Sequence, residues 1–235
     1  MAKNSTWKAL LGLLVLVAVL AIGADRGAVY FAQSVGASKL QDYGAVDPKV
    51  KIHDLPALQN LVRTRVEDAT LTASEVKVPI LSGDERTTIS LRDLKVQAQG
   101  LAYKPETQVR HASYVFLLPD EQIQKVLQAK DIPAQVHTDG EQIRLTSKVM
   151  GVQVTGKLTI RAAEPTSDNK PQIEFVVHGV DMNLWGYSGQ LGGDKETTLG
   201  PLPLTDLPAG TTIDSIRPVK GGVQLSGQLS DFHLQ

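Results

Sequence analysis

The chain contains no cysteine among its 235 residues. This absence excludes disulfides, thiolate-bound zinc, iron–sulfur clusters and thiol catalysis. Aromatic residues are few, at 5% of the chain, and neither sign of charge dominates, because 24 basic residues stand against 25 acidic ones. The chain therefore lacks the electrostatic footprint of a nucleic-acid-binding protein, and we expect no nucleic acid among its partners.

A long apolar run lies at the N-terminus. Lys3 and Lys8 precede an uninterrupted apolar stretch over residues 9–24. As a helix, residues 7–24 would be about 27 Å long, enough to cross the ~30 Å hydrocarbon core of a bilayer. Because positive charge stays on the cytoplasmic side, the two lysines predict a single-pass plasma-membrane anchor with a cytoplasmic N-terminus. The small residues at 21–23 leave open a cleaved signal peptide, which would release a secreted or periplasmic protein.

The chain behind this run divides into two parts. Residues 25–45 have a helix-compatible pattern and predict a membrane-proximal helix or a simple stalk. Gly44 to Pro48 breaks that pattern, so residues 46–235 are predicted to form the extracytoplasmic domain. This domain is long enough for a single sizeable core. The predicted organisation is thus an anchor or signal segment over 1–24, a helix over 25–45 and a domain over 46–235.

Beyond Pro48 most apolar residues recur with a period of two, which is typical of half-buried β-strands. The alternation slips by one residue between Leu91 and Leu94, as it does at a β-bulge in a strongly curved sheet. Hairpin-type dipeptides at 83–84, 139–140 and 221–222 predict a mostly antiparallel sheet. The alternating runs lie at 50–52, 76–80, 89–98, 112–118, 143–145, 152–160, 173–177 and 223–229.

Two short helical pieces interrupt the strands. Pro119-Asp120-Glu121 predicts a helix start with Asp120 as the N-cap, and apolar residues at 123, 126 and 127 predict its buried face up to about Lys130. Residues 55–63 predict a second short helix or helical turn. The fold class expected from these patterns is α+β, with strands dominating.

A search for catalytic or metal-binding motifs finds none. The histidines at 53, 111, 137, 178 and 233 form no HxH or HExxH pair, so each is interpreted as a surface or strand-end residue. Gly186-Tyr187-Ser188-Gly189 resembles part of a nucleophile elbow, but Gln190 replaces the final glycine, and we interpret the stretch as a loop. We assign no catalytic residue, no metal ligand and no cofactor. A hydrolase or transferase with a dispersed site stays open, since such sites assemble from distant residues.

The aliphatic face of the predicted sheet is the candidate binding site. Beside a membrane, such a sheet can curl around an apolar groove that holds lipid, although the same residues also suit an ordinary core. An envelope scaffold or interaction protein without a lipid cavity is therefore an alternative. Alternate residues of a strand pair would line the groove, and the candidates are Val152, Val154, Leu158, Ile160, Ile173, Phe175 and Val177.

Short motifs at both ends of the domain resemble a known family. They are VKIHDLPAL at 50–58, LPL at 202–204, LPAG at 207–210 and GGVQLSG at 221–227. In order and spacing they resemble the LmeA-type phospholipid-binding family of actinobacterial cell envelopes, from about Asp25 to the C-terminus. The chain departs from the family pattern at Ala57 and Ala209, where phenylalanine is expected after proline.

The resemblance implies a fold and a function. The implied fold is a BPI-like, tubular lipid-binding architecture, in which a long, strongly curved sheet wraps a helix and encloses lipid. The implied ligand is a phosphatidylinositol-type phospholipid. The resemblance also implies a supporting role in lipomannan or other envelope glycolipid assembly, with envelope glycosyltransferase machinery as a protein partner.

Overall fold

The structure is a computed structural model that describes residues 41, 45–53, 65–82, 85–102, 107–149, 152–184, 187–191, 196–204 and 210–234. The predicted anchor, the predicted helix over 25–45 except residues 41 and 45, and the predicted helix over 55–63 lie outside these residues, and Ala45 begins a strand rather than ending a helix. Thirteen strands and a helix, α1, have given bounds. They are β1 Ala45–Val46, β2 Lys49–Ile52, β3 Arg65–Ser82, β4 Glu85–Ala102, β5 Thr107–Pro119, α1 Asp120–Gln128, β6 Gln135–Thr138, β7 Ile143–Val149, β8 Val152–Ala163, β9 Gln172–Leu184, β10 Tyr187–Leu191, β11 Thr197–Pro203, β12 Thr211–Val219 and β13 Gly222–Leu234.

The strands form two sheets. Sheet A has the order β1-β3-β4-β5-β13-β12, and β2 also pairs with β3. Sheet B has the order β10-β9-β8-β7-β6, and β11 also pairs with β9. Every described pairing between strands is antiparallel, as the hairpin dipeptides predicted. The fold class is therefore α+β and mostly β, as expected.

The expectation of one long sheet wrapped around a helix needs correction. The described strands divide between two sheets, and α1 lies against β4, β5 and β13 of sheet A and β6 of sheet B. The chain leaves sheet A at Pro119, builds sheet B, and returns to sheet A through β12 and β13. One core cluster, which runs from Ala45 to Leu229, includes buried side chains of both sheets and of α1. No helix in the described part of the chain is long and apolar enough to cross a membrane.

The slip between Leu91 and Leu94 is a β-bulge, as predicted. The register of β4 against β5 shifts between Arg92 and Lys95, and Asp93 has a φ of 52°. The buried side chains of β4 accordingly change from odd to even positions at this point. A bulge adds one residue and bends the strand, so the apolar side chains on both sides of it still face the core.

Helix α1 begins where its sequence predicts but is capped differently. Pro119 occupies the N-cap position, and no side chain makes a capping hydrogen bond. Asp120 is the first helical residue instead, and its carboxylate accepts hydrogen bonds from Thr138 of β6. Gln122, Ile123, Val126 and Leu127 form the buried face. The buried Gln122 accepts a hydrogen bond through Oε1 from the Ser90 backbone N–H at 3.1 Å, which holds α1 against β4.

Three elements meet at the start of α1. The Asp120 carboxylate accepts hydrogen bonds from the Thr138 backbone N–H at 2.9 Å and from the Thr138 hydroxyl. The Asp120 N–H donates to the Gly221 carbonyl at 3.1 Å, and the Gly221 N–H donates to the Thr138 carbonyl at 3.0 Å. Thr138 is fully buried at the end of β6, while Gly221 precedes β13. This junction of Asp120, Thr138 and Gly221 therefore ties α1 to both sheets.

Two of the three predicted hairpin turns lie among the described residues, one of them with a shift, while the dipeptide at 83–84 lies outside them between the paired residues Ser82 and Glu85. Asp139 follows β6, and its Oδ1 accepts the backbone N–H groups of Glu141 and Gln142 at 3.0 Å. These hydrogen bonds, that of Gln142 first, hold the pKa of the Asp139 carboxyl below its usual range. The β12–β13 turn is formed by residues 220–221, one residue earlier than predicted, with Gly221 at a φ of 83°. Gly222 is already in the ladder, where an added Cβ would lie 2.5 Å from the Leu118 carbonyl oxygen.

Candidate functional site

The seven predicted lining residues lie on two neighbouring strands of sheet B. Leu158 pairs directly with Val177, and Ile160 pairs with Phe175. Ile173 lies two residues before Phe175 on β9, so both side chains point to the same face. Val152 and Val154 are separated from Leu158 by even numbers of residues on β8, so they point to that face as well. Since directly opposed residues share a face of an antiparallel sheet, the structure brings the predicted set together on one face.

The burial of this set changes along the strands. Leu158, Ile160, Ile173 and Phe175 are no more than 6% exposed and belong to the core. Val152, Val154 and Val177 are half-buried instead. The apolar face of β8 and β9 is thus closed by packing at one end and partly open at the other.

A bulge marks the change. The β8–β9 register shifts between Thr155 and Lys157, so that two residues of β9, at 179 and 180, stand opposite Gly156. Gly179 has a φ of 49°, a backbone conformation that favours glycine. A Cβ added to Gly156 would lie 3.6 Å from Cγ1 of Val177, which places this side of Gly156 on the apolar face. The bulge bends β9 where the closed part of the face becomes half-open.

Sequence reasoning missed part of the apolar margin. Ile213 and Ile216 of β12 are half-buried and pack against the core, and β12 contacts β8 of the other sheet. Ile213 and Ile216 are three residues apart, which does not fit the period of two expected for a strand. The β12–β13 register shift between Ile213 and Ser215 causes this spacing. A search for strands that allowed one extra residue per run would have found them. The other half-buried apolar residues that pack against the core are Ile52, Val78, Ile132, Val136, Leu199 and Leu204.

The stretch interpreted as a loop around Gly189 is a strand. Residues 187–191 form β10 and pair with residues 184–180 of β9. The likeness to a nucleophile elbow is therefore superficial, since such an elbow needs a strand-to-helix turn.

Two of the histidines have a polar side-chain contact. His53 Nε2 lies 3.0 Å from Oγ1 of Thr70, and His178 Nδ1 lies 3.4 Å from Oε1 of Glu196. Within the ranges the structure describes, no three histidine, aspartate or glutamate side chains gather closely enough to hold a metal ion. His53 faces a threonine hydroxyl and His178 a carboxylate, and neither contact by itself assigns the histidine a chemical role.

Two stacked aromatic rings complete the core of sheet A. Tyr114 and Phe116 have ring centroids 5.9 Å apart and ring planes 12° apart. The Tyr114 hydroxyl donates to the Thr212 carbonyl oxygen at 2.9 Å, so the side chain reaches from β5 across β13 to the edge strand β12. Gly227 leaves room for this crossing, because a Cβ there would collide with the Tyr114 hydroxyl and the Thr212 carbonyl oxygen.

Burial of Tyr114 leads to a pH-dependent stability. Burial raises the pKa of Tyr114 well above its ordinary value of about 10, and the charge of Asp214 raises it further. The folded chain then keeps a proton that the unfolded chain releases, so stability falls as pH rises beyond about 10. We expect Tyr114→Phe to reduce this fall in melting temperature while leaving the tyrosinate absorbance of the folded protein at pH 10 to 11 unchanged. A clear decrease of that absorbance in Tyr114→Phe would contradict the prediction.

The comparison with known families defines the class of protein. Two antiparallel sheets share one apolar core, and its face continues on β8 and β9 as half-buried apolar side chains. Residues 23–228 match the sequence model of the LmeA-like phospholipid-binding family. Because the match covers most of the chain, the protein belongs to this family, as the motifs suggested. No curated protein and no solved structure matches the chain.

Proposed function

We propose that this protein is a non-enzymatic phospholipid carrier or holder that works on the outer side of the plasma membrane. Membership of a phospholipid-binding family supports the ligand class. The observation that carries the proposal is the half-buried end of the apolar face, formed by Val152, Val154 and Val177. These side chains are aligned with a closed core but are not sealed by it, so acyl chains can extend the core at this end.

The energetics of lipid transfer favour an enclosed apolar site. Transfer of one methylene group from a bilayer to water costs ~0.8 kcal/mol, so a lipid carrier must provide an apolar environment for each one. Two acyl chains of about fifteen carbons each would therefore cost more than 20 kcal/mol if exposed to water. Half-buried valines at the margin of the core offset this cost only if the chains also reach the closed part of the face. We propose that Leu158, Ile160, Ile173 and Phe175 separate to admit them.

The sequence supports the location and the role. The apolar run over 9–24, which two lysines precede, would tether the domain to the membrane from which it takes lipid. If the run is cleaved, it would direct export of the domain instead. A phosphatidylinositol-like lipid is the proposed ligand, and envelope glycolipid assembly, with its glycosyltransferases as partners, is the proposed process. The protein would supply or hold lipid for those enzymes rather than carry out chemistry itself.

Val154→Trp tests the binding site. If acyl chains use the space beside Val154, the indole fills it, and we expect the purified protein to lose most of its bound phospholipid, measured by native mass spectrometry with lipid identification. The melting temperature should change little, because a half-buried position accommodates a larger side chain more easily than a filled core does.

A matched control uses the same substitution elsewhere. Val46→Trp on β1 adds the same ring at a position that is 43% exposed and belongs to the other sheet, so it should leave lipid loading unchanged. Retained lipid in Val154→Trp together with a melting temperature several degrees lower would instead identify Val154 as ordinary core. Overpacking of a filled core costs about 1–3 kcal/mol.

A further inference from the structure

A polar groove crosses the outer face of sheet A, on the side away from the shared core. Its volume is about 340 Å³, and its lining comes from β4, β5, β12 and β13. This volume lies in the ~300–1,000 Å³ range of small-ligand sites. The groove is therefore sized for a small polar group.

The sheet register arranges the outward side chains of the lining as two rows, which Thr212 and Ser215 of β12 continue beyond the groove. Tyr114 and Gly227 also line it. In the first row Gln97 pairs with Ser113, Ser113 with Gln228, and Gln228 with Thr212. In the second row Lys95 pairs with Val115, Val115 with Ser226, and Ser226 with Ser215. Neighbouring strands lie about 4.8 Å apart, so each row is a ladder of evenly spaced groups. Half-buried Val115 interrupts the second ladder with an apolar surface.

Asp214 is held in a fixed position above these rows. It lies in the β12 register shift between Ile213 and Ser215. The Thr212 hydroxyl donates to its Oδ1 at 3.0 Å, and the Gln228 amide donates to its Oδ2 at 2.7 Å. A carboxylate has about four acceptor sites, so each oxygen retains capacity for another donor. Its orientation is set before a ligand arrives, which reduces the entropic cost of binding.

The chemistry of the lining selects a class of ligand. Amides and hydroxyls both donate and accept hydrogen bonds, Lys95 donates and Asp214 accepts. The opposite charges of Lys95 and Asp214 balance, so the groove has no excess positive charge for a phosphate. A ring that carries several hydroxyls matches such a lining, because every hydroxyl both donates and accepts, and its C–H face can rest on Val115.

We propose that this groove binds a neutral polyhydroxylated ring, a sugar or a cyclitol. The ring can come from a free saccharide or from the headgroup of a lipid in a membrane. The groove lies on the opposite face of sheet A from the core, so its occupation is independent of acyl-chain binding.

The test uses the full-length protein in lauryldimethylamine oxide micelles, a detergent without a sugar headgroup. Free methyl α-D-glucopyranoside, methyl α-D-mannopyranoside and myo-inositol are titrated by saturation-transfer NMR, with inorganic phosphate as the anionic control. In a second arm, the protein is reconstituted with vesicles of phosphatidylcholine alone or with added phosphatidylinositol, and protection of β4 and β13 amides from hydrogen exchange is compared.

Two variants and a matched control identify the groove. Asp214→Asn keeps the side-chain shape and removes the charged acceptor, while Gln97→Ala removes an exposed amide. Each should weaken binding of at least one polyol by about tenfold, the size expected for loss of a hydrogen bond to a fixed polar group. Gln99→Ala changes the next exposed glutamine along β4, outside the groove, and should leave binding unchanged.

The outcomes separate the sources and decide the proposal. Binding of a free polyol that depends on Asp214 and Gln97 supports a saccharide ligand. The same dependence seen only with phosphatidylinositol vesicles supports a headgroup ligand. Absence of polyol binding in both arms, preference for phosphate, or equal binding by all three variants overturns the proposal. Should Asp214→Asn unfold the protein, Gln97→Ala decides alone. Lipid loading in the Val154→Trp experiment is measured separately, so either proposal can fail without the other.

Discussion

Replacement of Gly227 by alanine is expected to destabilise the protein by about 3–5 kcal/mol, at the upper end of single-substitution effects. The added methyl group would collide with the Thr212 carbonyl oxygen and the Tyr114 hydroxyl. The backbone oxygen cannot move without breaking the β12–β13 pairing, and Tyr114 cannot move without disturbing its stack on Phe116. In a chain of this size, such a loss lowers the melting temperature by roughly 10 °C.

Gly156→Ala is the matched control, since this glycine also lies inside a strand. A Cβ at residue 156 would approach its nearest neighbour, the Gly179 carbonyl oxygen, at 3.4 Å, an ordinary contact distance. Its melting temperature should stay close to that of the unmodified protein in the same calorimetric scan. Equal melting temperatures for the two variants would show that the tight crossing of Tyr114 over β13 does not exist in solution.

Asp120→Ala is expected to have the second-largest effect, about 2–5 kcal/mol. It removes both acceptors used by Thr138, and the Thr138 backbone N–H and hydroxyl would remain buried without them. Each buried donor that loses its partner costs about 1–3 kcal/mol. The substitution directly weakens the junction between α1 and the two sheets. In a denaturant titration, the midpoint of unfolding should therefore lie at a lower denaturant concentration than for the unmodified protein.

Asp120→Asn distinguishes this cause from general damage to the helix. The amide oxygen still accepts one of the two hydrogen bonds, so this variant should recover part of the lost stability. Asp131→Asn, an exposed change just after α1, should have little effect, because asparagine tolerates the positive φ of 60° at this position as aspartate does. If Asp120→Ala and Asp131→Asn unfold at the same denaturant concentration, the junction is not a stabilising feature.

Much of the fold follows from periodicity in the sequence. The strands β2, β3, β4, β5, β7, β8, β9 and β13 contain the predicted alternating runs, and even the bulge near Asp93 shows as a slip in the pattern. Helix α1 is visible because its buried residues recur at helical spacing. These signals are local, since they depend on which residues of one element face the core.

The missed features depend on contacts between distant residues. The β12 pattern is broken by the register shift next to Asp214, and β10 contains Gly189, a residue type that is depleted in strands. Asp120 does not cap its helix, because Thr138 supplies a tertiary partner that the local sequence does not reveal. Alternation in the sequence places the seven lining residues on one face. The division of that face into a closed and a half-open part coincides with the bulge at which Gly179 lies across the ladder from Gly156. The sequence around either glycine does not reveal this pairing.

The place of β13 in sheet A has a consequence for how the chain folds. Strand β13 pairs with β5 over its full length, so that Leu234 lies opposite Thr107. On its other side β13 pairs with β12. Sheet B is built from consecutive strands and needs only neighbouring sequence, whereas sheet A joins segments more than a hundred residues apart. Long-range pairing of this kind is slow. Until the final strand arrives, β5 remains an unpaired edge, and a chain that lost its C-terminal segment would expose that edge to other molecules and aggregate.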